Sequence, residues 1–148
     1  MGYTLEAVLL HPQAAKSEHG LDAVPLLHGL ALIPVTDDVL DALPEKGLSS
    51  DVFGIFWKFN GALESLLMEL SRSGMAAYVE ADFFGGSGTR GAAVWRDGQF
   101  LMSPEHSNGV GAINRALSLL GAPRSAERDE FDEVGLRRFR HTSAWAEE

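Results

Sequence analysis

The sequence predicts an α+β fold. It reads as a single domain, with an antiparallel sheet centred on a three-stranded meander over Met75 to Met102 and helices mainly on one face. Three observations predict it. The stretch MAAYVEADFFGGSGTRGAAVWRDGQFLM carries apolar and aromatic runs at Met75 to Phe84, Gly91 to Trp95 and Gln99 to Met102. Turn residues separate the runs, Gly85-Gly86-Ser87-Gly88 first and Asp97-Gly98 second. An Asp-Gly pair between apolar runs marks a hairpin, because a type I′ turn needs positive φ at both central residues. Just before the meander, Leu63, Leu66, Leu67 and Leu70 fall at the i, i+3, i+4, i+7 spacing of one helix face. A helix laid on an antiparallel sheet buries both apolar surfaces at once.

The other elements follow in order. Tyr3 to Leu10 (YTLEAVLL) is a first strand, stopped at His11-Pro12 because proline cannot donate to a ladder. Gln13 to Gly20 is polar and reads as a loop or a short helical turn. Leu21 to Val35 is mostly apolar, broken by Pro25, Gly29 and Pro34, with a short buried strand at Leu30 to Val35. Thr36 caps a helix from Asp37 to Leu43, with Asp37 and Asp38 in the first turn and Pro44 at its end. Asp51 to Phe59 (DVFGIFWKF) reads first as a strand, although it runs straight into a helical pattern and helix stays open. Asn60 is the candidate cap of the leucine helix, and Gly74 its C′ residue. Met102 to Gly111 reads as a loop. Ala112 to Leu120 is a helix with the stripe Ile113, Ala116, Leu117, Leu120, stopped by Gly121-Ala122-Pro123. A short surface helix is expected from near Ser125 to Gly135, then a basic tail.

Composition narrows the function. A chain of 148 residues is one domain by default, able to bury about 70% of its unfolded surface. There is no cysteine, so disulfides, thiolate metal sites and cysteine nucleophiles are excluded. The net charge of −9 repels a phosphate backbone and argues against nucleic-acid binding. An acidic surface instead favours solubility and steers basic partners. The N-terminus carries Glu6 rather than the basic start of a signal peptide, and no apolar run reaches membrane-spanning length. A cytoplasmic protein is the expectation.

No catalytic motif emerges. Glu80 and Asp82 lie two apart on a strand and share a face. Paired carboxylates serve acid–base chemistry or metal binding. They also describe the solvent face of a half-exposed sheet, with Ala77, Val79, Ala81 and Phe83 opposite. That reading predicts both to be exposed, with Arg90 and Arg96 on the next strand placed to pair with them. The loop Gly85 to Arg90 is rich in glycine, but a phosphate cradle opens onto a helix, and here a strand follows. It is also no nucleophile elbow, since Thr89 stands where that motif requires glycine. A hairpin connection explains it, and of the functional readings a partner-binding loop ranks above a catalytic one. His11, His19, His28, His106 and His141 show no metal-site spacing, so neither metal nor cofactor is expected. Phe53, Phe56, Trp57 and Phe59 could line a ligand pocket but read first as core, given how much area aromatics bury. Arg137-Arg138-Phe139-Arg140 and Asp129 to Glu133 read as clusters that screen each other.

The pattern YVEADFF-GG-x-G-x4-AAVW-x-DG, with AINRALSLLGA and DEFDEVGLRRFRHTSAW after it, resembles small acidic proteins of high-GC bacteria, some of them grouped with immunity proteins of secreted toxins. The resemblance spans Tyr78 to Trp145. It implies a non-enzymatic α+β protein that binds another protein, such as a basic toxin domain it neutralises, and it carries over no active residues. The candidate partner-binding residues are Glu80, Asp82, Ser87 and Arg90. The alternative is a small-ligand binder or enzyme built on Glu80, Asp82 and the glycine loop.

Overall fold

A computed structural model of the protein describes residues 2–11, 23–43, 56–57, 59, 61–72, 74–84, 87–108 and 111–147. Its strands are β1 (Gly2–Leu10), β2 (Val24–Pro25), β3 (Ala31–Pro34), β4 (Ala76–Phe84), β5 (Ser87–Arg96) and β6 (Gln99–Ser107). They form one antiparallel sheet in the order β2-β3-β1-β4-β5-β6. The helices are α1 (Asp37–Ala42), α2 (Gly61–Leu70), α3 (Gly111–Leu119), α4 (Glu130–Glu133) and α5 (Thr142–Ala146). The α+β class and the meander are therefore as the sequence predicts. Asp97 and Gly98 have φ of 52° and 79°, the left-handed pair that a type I′ turn demands.

The central strands β1 and β4 pair along their whole lengths, from Gly2↔Phe84 to Leu10↔Ala76. Ala7, Val8, Leu9 and Leu10 are consecutive and fully buried. Successive strand residues point to opposite faces, so such a run forces both faces to be covered. On one face Leu5, Leu9, Val79 and Val94 join Ile113 and Leu117 of α3, Phe131 of α4 and Trp145 of α5 in a single cluster. On the other, Val8, Leu10, Tyr78 and Trp95 join Leu63, Leu66, Leu67 and Leu70 of α2, with Phe56 and Phe59. The expected majority of helices does share one face, and the leucine helix α2 closes the second.

Local chemistry sets the helix ends. The Thr36 hydroxyl accepts from the Val39 N–H at 3.2 Å, and the Asp129 carboxylate from the Asp132 N–H at 3.0 Å. Gly121 has φ +98°. The Gly121 and Ala122 N–H groups donate to the Ser118 and Leu117 carbonyls, closing α3 in a Schellman motif. Buried Asn114 ties α3 to α4, accepting from the Phe131 N–H at 2.8 Å and donating to Asp129 at 3.0 Å.

Several expected boundaries move. Strand β6 runs on to Ser107 through the stretch read as a loop, because pairing continues as far as Arg90↔Ser107. Pro104 is tolerated because β6 pairs only with β5 among the described residues, leaving an edge that needs no N–H there. The helix expected from near Ser125 begins only at Glu130. Ser125 instead uses its hydroxyl to accept from the Arg128 N–H in a turn, and Asp129 is the cap. Gly74 is not the C′ residue of α2, which ends at Leu70 and passes into a turn at 71–72. The reading of 51–59 as a strand falls mostly outside the described residues. Within it, Phe56, Trp57 and Phe59 lie in neither strand nor helix. The polar stretch 13–20 and the Asn60 cap also lie outside.

Leu67 is fully buried in the α2 cluster. Truncation to alanine is expected to cost about 2–5 kcal/mol of unfolding free energy. Denaturant unfolding of Leu67→Ala measures it, and a loss below about 1 kcal/mol would contradict the packing described.

Candidate functional site

The residues nominated by sequence separate in the fold. Glu80 and Asp82 do share a face, the α2 face, but their environments differ. Glu80 has no exposure, whereas Asp82 is exposed. The expectation that both face solvent fails at Glu80, because α2, Phe56, Trp57 and Phe59 cover that half of the sheet. Arg90 lies opposite Ala81 in the ladder and so points to the other face, where it cannot pair with either acid. Arg96 lies opposite Gln99 at the far end of β5. Ser87 is placed by its pairing with Phe84.

The register sets Glu80 directly opposite Glu6 on β1, and Glu6 is also buried. Two carboxylates facing each other across a ladder repel, and burial raises the cost of either charge. Hydrogen-bond donors converge on them. Glu80 accepts from the Trp57 backbone N–H at 2.8 Å and from the Tyr78 hydroxyl at 2.6 Å. Glu6 accepts from the Trp57 indole N–H at 3.4 Å, and the Thr142 hydroxyl lies 3.2 Å from its carboxylate. Thr142 also accepts from the Glu6 N–H at 3.0 Å. Both carboxylates make further interactions beyond these. Trp57 is thus tied at both its backbone and its ring, yet 51% of it remains exposed.

Beyond Trp57 the same sheet face opens. Thr4 and Asp82 are cross-strand partners 3.4 Å apart. Phe84 follows, 69% exposed. Residues 80 and 84 are about 13 Å apart along an extended strand. The glycine loop begins here, and Gly88 is a packing requirement. With φ +147°, a Cβ on it would come 2.3 Å from the Asp82 carbonyl. No helix follows the loop; Ser87 already belongs to β5.

On the opposite face Arg90 is buried. Its guanidinium lies 3.7 Å above the Phe83 ring centroid and donates to the Asn108 carbonyl. Phe83 stacks on Tyr3 at 4.9 Å, Tyr3 meets Phe131 at 5.6 Å, and Arg137 lies 5.3 Å from the Phe131 ring. Arg137 also pairs with Asp132, as the screening of the two clusters predicts. Loss of water around Arg90, then the nearby Arg137 charge, lower its pKa.

Sequence reasoning missed Glu6, Tyr78 and Thr142, and favoured core over a ligand-pocket lining for Trp57. Glu6 left one signal, a lone acid inside an otherwise apolar strand. Thr142 left none, since its contact depends on the chain returning to β1. Among the described residues, no group of three or more His, Asp or Glu is placed to hold a metal ion, and no helix is long and apolar enough to cross a membrane. No family model, curated protein or solved structure matches the chain.

The two tyrosines of the chain are both held protonated. Burial, reinforced by the Glu80 charge and hydrogen bond and then by Glu6, pushes Tyr78 well above its ordinary range. Burial does the same to Tyr3, with Arg137 opposing it in part. In the unfolded chain both phenols ionise near pH 10. The folded state therefore binds more protons above that pH, and stability present below it is lost as pH rises. Absorbance at 295 nm is expected to stay flat through about pH 10, then rise in one step as the protein unfolds. A separate phenol titrating near pH 10 in the folded protein would contradict the burial.

Proposed function

We propose that the protein is a non-enzymatic protein-binding domain whose partner is basic, a toxin neutralised by binding being one such partner. The observation that supports this most directly is Trp57, an exposed aromatic side chain whose backbone and indole N–H groups are fixed by two buried carboxylates. Binding loses less entropy when its anchors are already ordered, and Trp is enriched among the residues that dominate interface energies. Phe84 supplies a second exposed aromatic on the same face, with Asp82 between them in the ladder direction. The net charge of −9 favours rapid encounter with a positive surface.

The geometry favours this over a catalytic use of Glu80, Asp82 and the glycine loop. Glu80 lies beneath Trp57, and Arg90 is on the far side of the sheet. Glu80 therefore acts by positioning Trp57, and Asp82 is the acid that meets a partner.

Affinity capture from the native organism, comparing the unaltered chain with Phe84→Ser and Asp82→Lys, tests the reading. A captured basic protein is expected to be lost with Phe84→Ser. It is expected to associate more slowly with Asp82→Lys, and both variants should keep their stability within about 0.5 kcal/mol. Association should slow further with salt, since exposed charges are screened beyond about 10 Å at 0.1 M. Capture that is identical for all three chains would remove this face as the binding surface.

A further inference from the structure

A separate cleft of about 490 Å³ lies on the α4–α5 side of the molecule, between the 25–27 segment and the C-terminal helices. Its size is within the range of small-molecule sites. Leu26, Leu27, Val134 and Trp145 give it an apolar lining, and Arg128 and Arg138 add two guanidinium groups. Asp132 also borders it, with its carboxylate engaged by Arg137. Arg128 is exposed and forms no ion pair among the described residues.

The cleft wall is built before any ligand arrives. The Leu27 N–H donates to the Val134 carbonyl at 3.1 Å, and the Leu26 N–H to the Leu30 carbonyl at 2.8 Å. His28, with φ of 62°, lies 3.0 Å from Glu133 and pins the segment to α4. Leu27 nonetheless remains 57% exposed. One polar group in the wall is unsatisfied. Trp145 is fully buried, and its indole N–H has no acceptor among the described residues. Buried donors nearly always have a partner, which makes this indole N–H, in a residue bordering the cleft, a reporter of what binds there.

We propose that this cleft binds a small organic carboxylate with an apolar body. The body lies against Leu26, Leu27 and Val134. The carboxylate meets the exposed Arg128 guanidinium in charge-assisted hydrogen bonds. The inference is independent of the Trp57 face, which lies on the other side of the sheet.

Calorimetric titration of the whole chain tests it, with octanoate and 3-phenylpropionate as probes. Acetate lacks the body, and octanol lacks the charge. At least one probe carboxylate is expected to bind and to shift the Trp145 indole N–H resonance, with acetate and octanol weaker by about tenfold or more. Arg128→Gln, at an exposed position, should weaken the carboxylate by about tenfold with no change in Tm. Leu27→Asp should weaken it as well. The proposal fails if neither probe shifts that resonance at millimolar concentration. It also fails if octanol binds as well as octanoate, or if Arg128→Gln binds like the unaltered chain.

Discussion

Pairing β1 with β4 along their full lengths places both strands at the centre of the sheet, and both are covered on their two faces over most of their length. That constraint accounts for much else. A strand buried on both sides must be apolar at every position or must satisfy each polar group it carries. Ala7 to Leu10 meet the first condition. Glu6 and Glu80 meet the second, through Trp57, Tyr78 and Thr142. The need to cover two faces also distributes the helices. Helix α2 lies over one side and α3, α4 and α5 over the other.

The same sheet separates charge. At the end of β4 nearest the glycine loop, the α2 face carries Glu80, Glu6 and Asp82, and the opposite face carries Arg90 and then Arg137. Alternation along the strands makes this separation automatic, since Ala81 and Arg90 share one face while Asp82 and Thr89 share the other. The arginines are held by rings, Arg90 on Phe83 and Arg137 on Phe131, with Tyr3 between those rings. Kept apart by the sheet, the carboxylates are not neutralised by Arg90, and the open part of their face stays acidic. Trp57 is fixed on that acidic side.

Much of the fold was legible in the sequence because its signals are local. Asp97-Gly98 fixed the last hairpin through backbone conformation alone. The leucine spacing of α2 and the stripe of α3 need only helical periodicity. Thr36 as a cap needs only its neighbours. The site was less legible because it depends on register and chain return. Glu80 and Asp82 have the alternation of an exposed face, and only the arrival of α2 and Trp57 over one of them distinguishes the two. Glu6 becomes Glu80's neighbour through pairing across 74 residues, and Thr142 joins through pairing across 136. Pairing Arg90 with those acids assumed proximity on adjacent strands and neglected which face each position takes. The helix misplaced at Ser125 has a similar origin, since a charged stretch offers helical propensity while Ser125 and Asp129 compete for the backbone locally.

The return of the C-terminal segment to β1 also bears on how the chain is made. Where β3 stops pairing with β1 at Ala7, residues 140–142 take over: the Thr4 N–H donates to the Arg140 carbonyl at 2.8 Å, and Thr4 and His141 form a parallel bridge. Ribosomes add roughly 5–20 residues per second. The first strand therefore leaves the exit tunnel many seconds before the residues that complete its edge are synthesised. In that interval the nascent chain presents the unfinished flank of β1, with the Glu6 carboxylate not yet met by Thr142. Exposed strand edges are where chains mispair with one another. Polysomes translating this message hold several such chains side by side, so until residues 140–142 arrive the flank of β1 is open to pairing between neighbouring nascent chains.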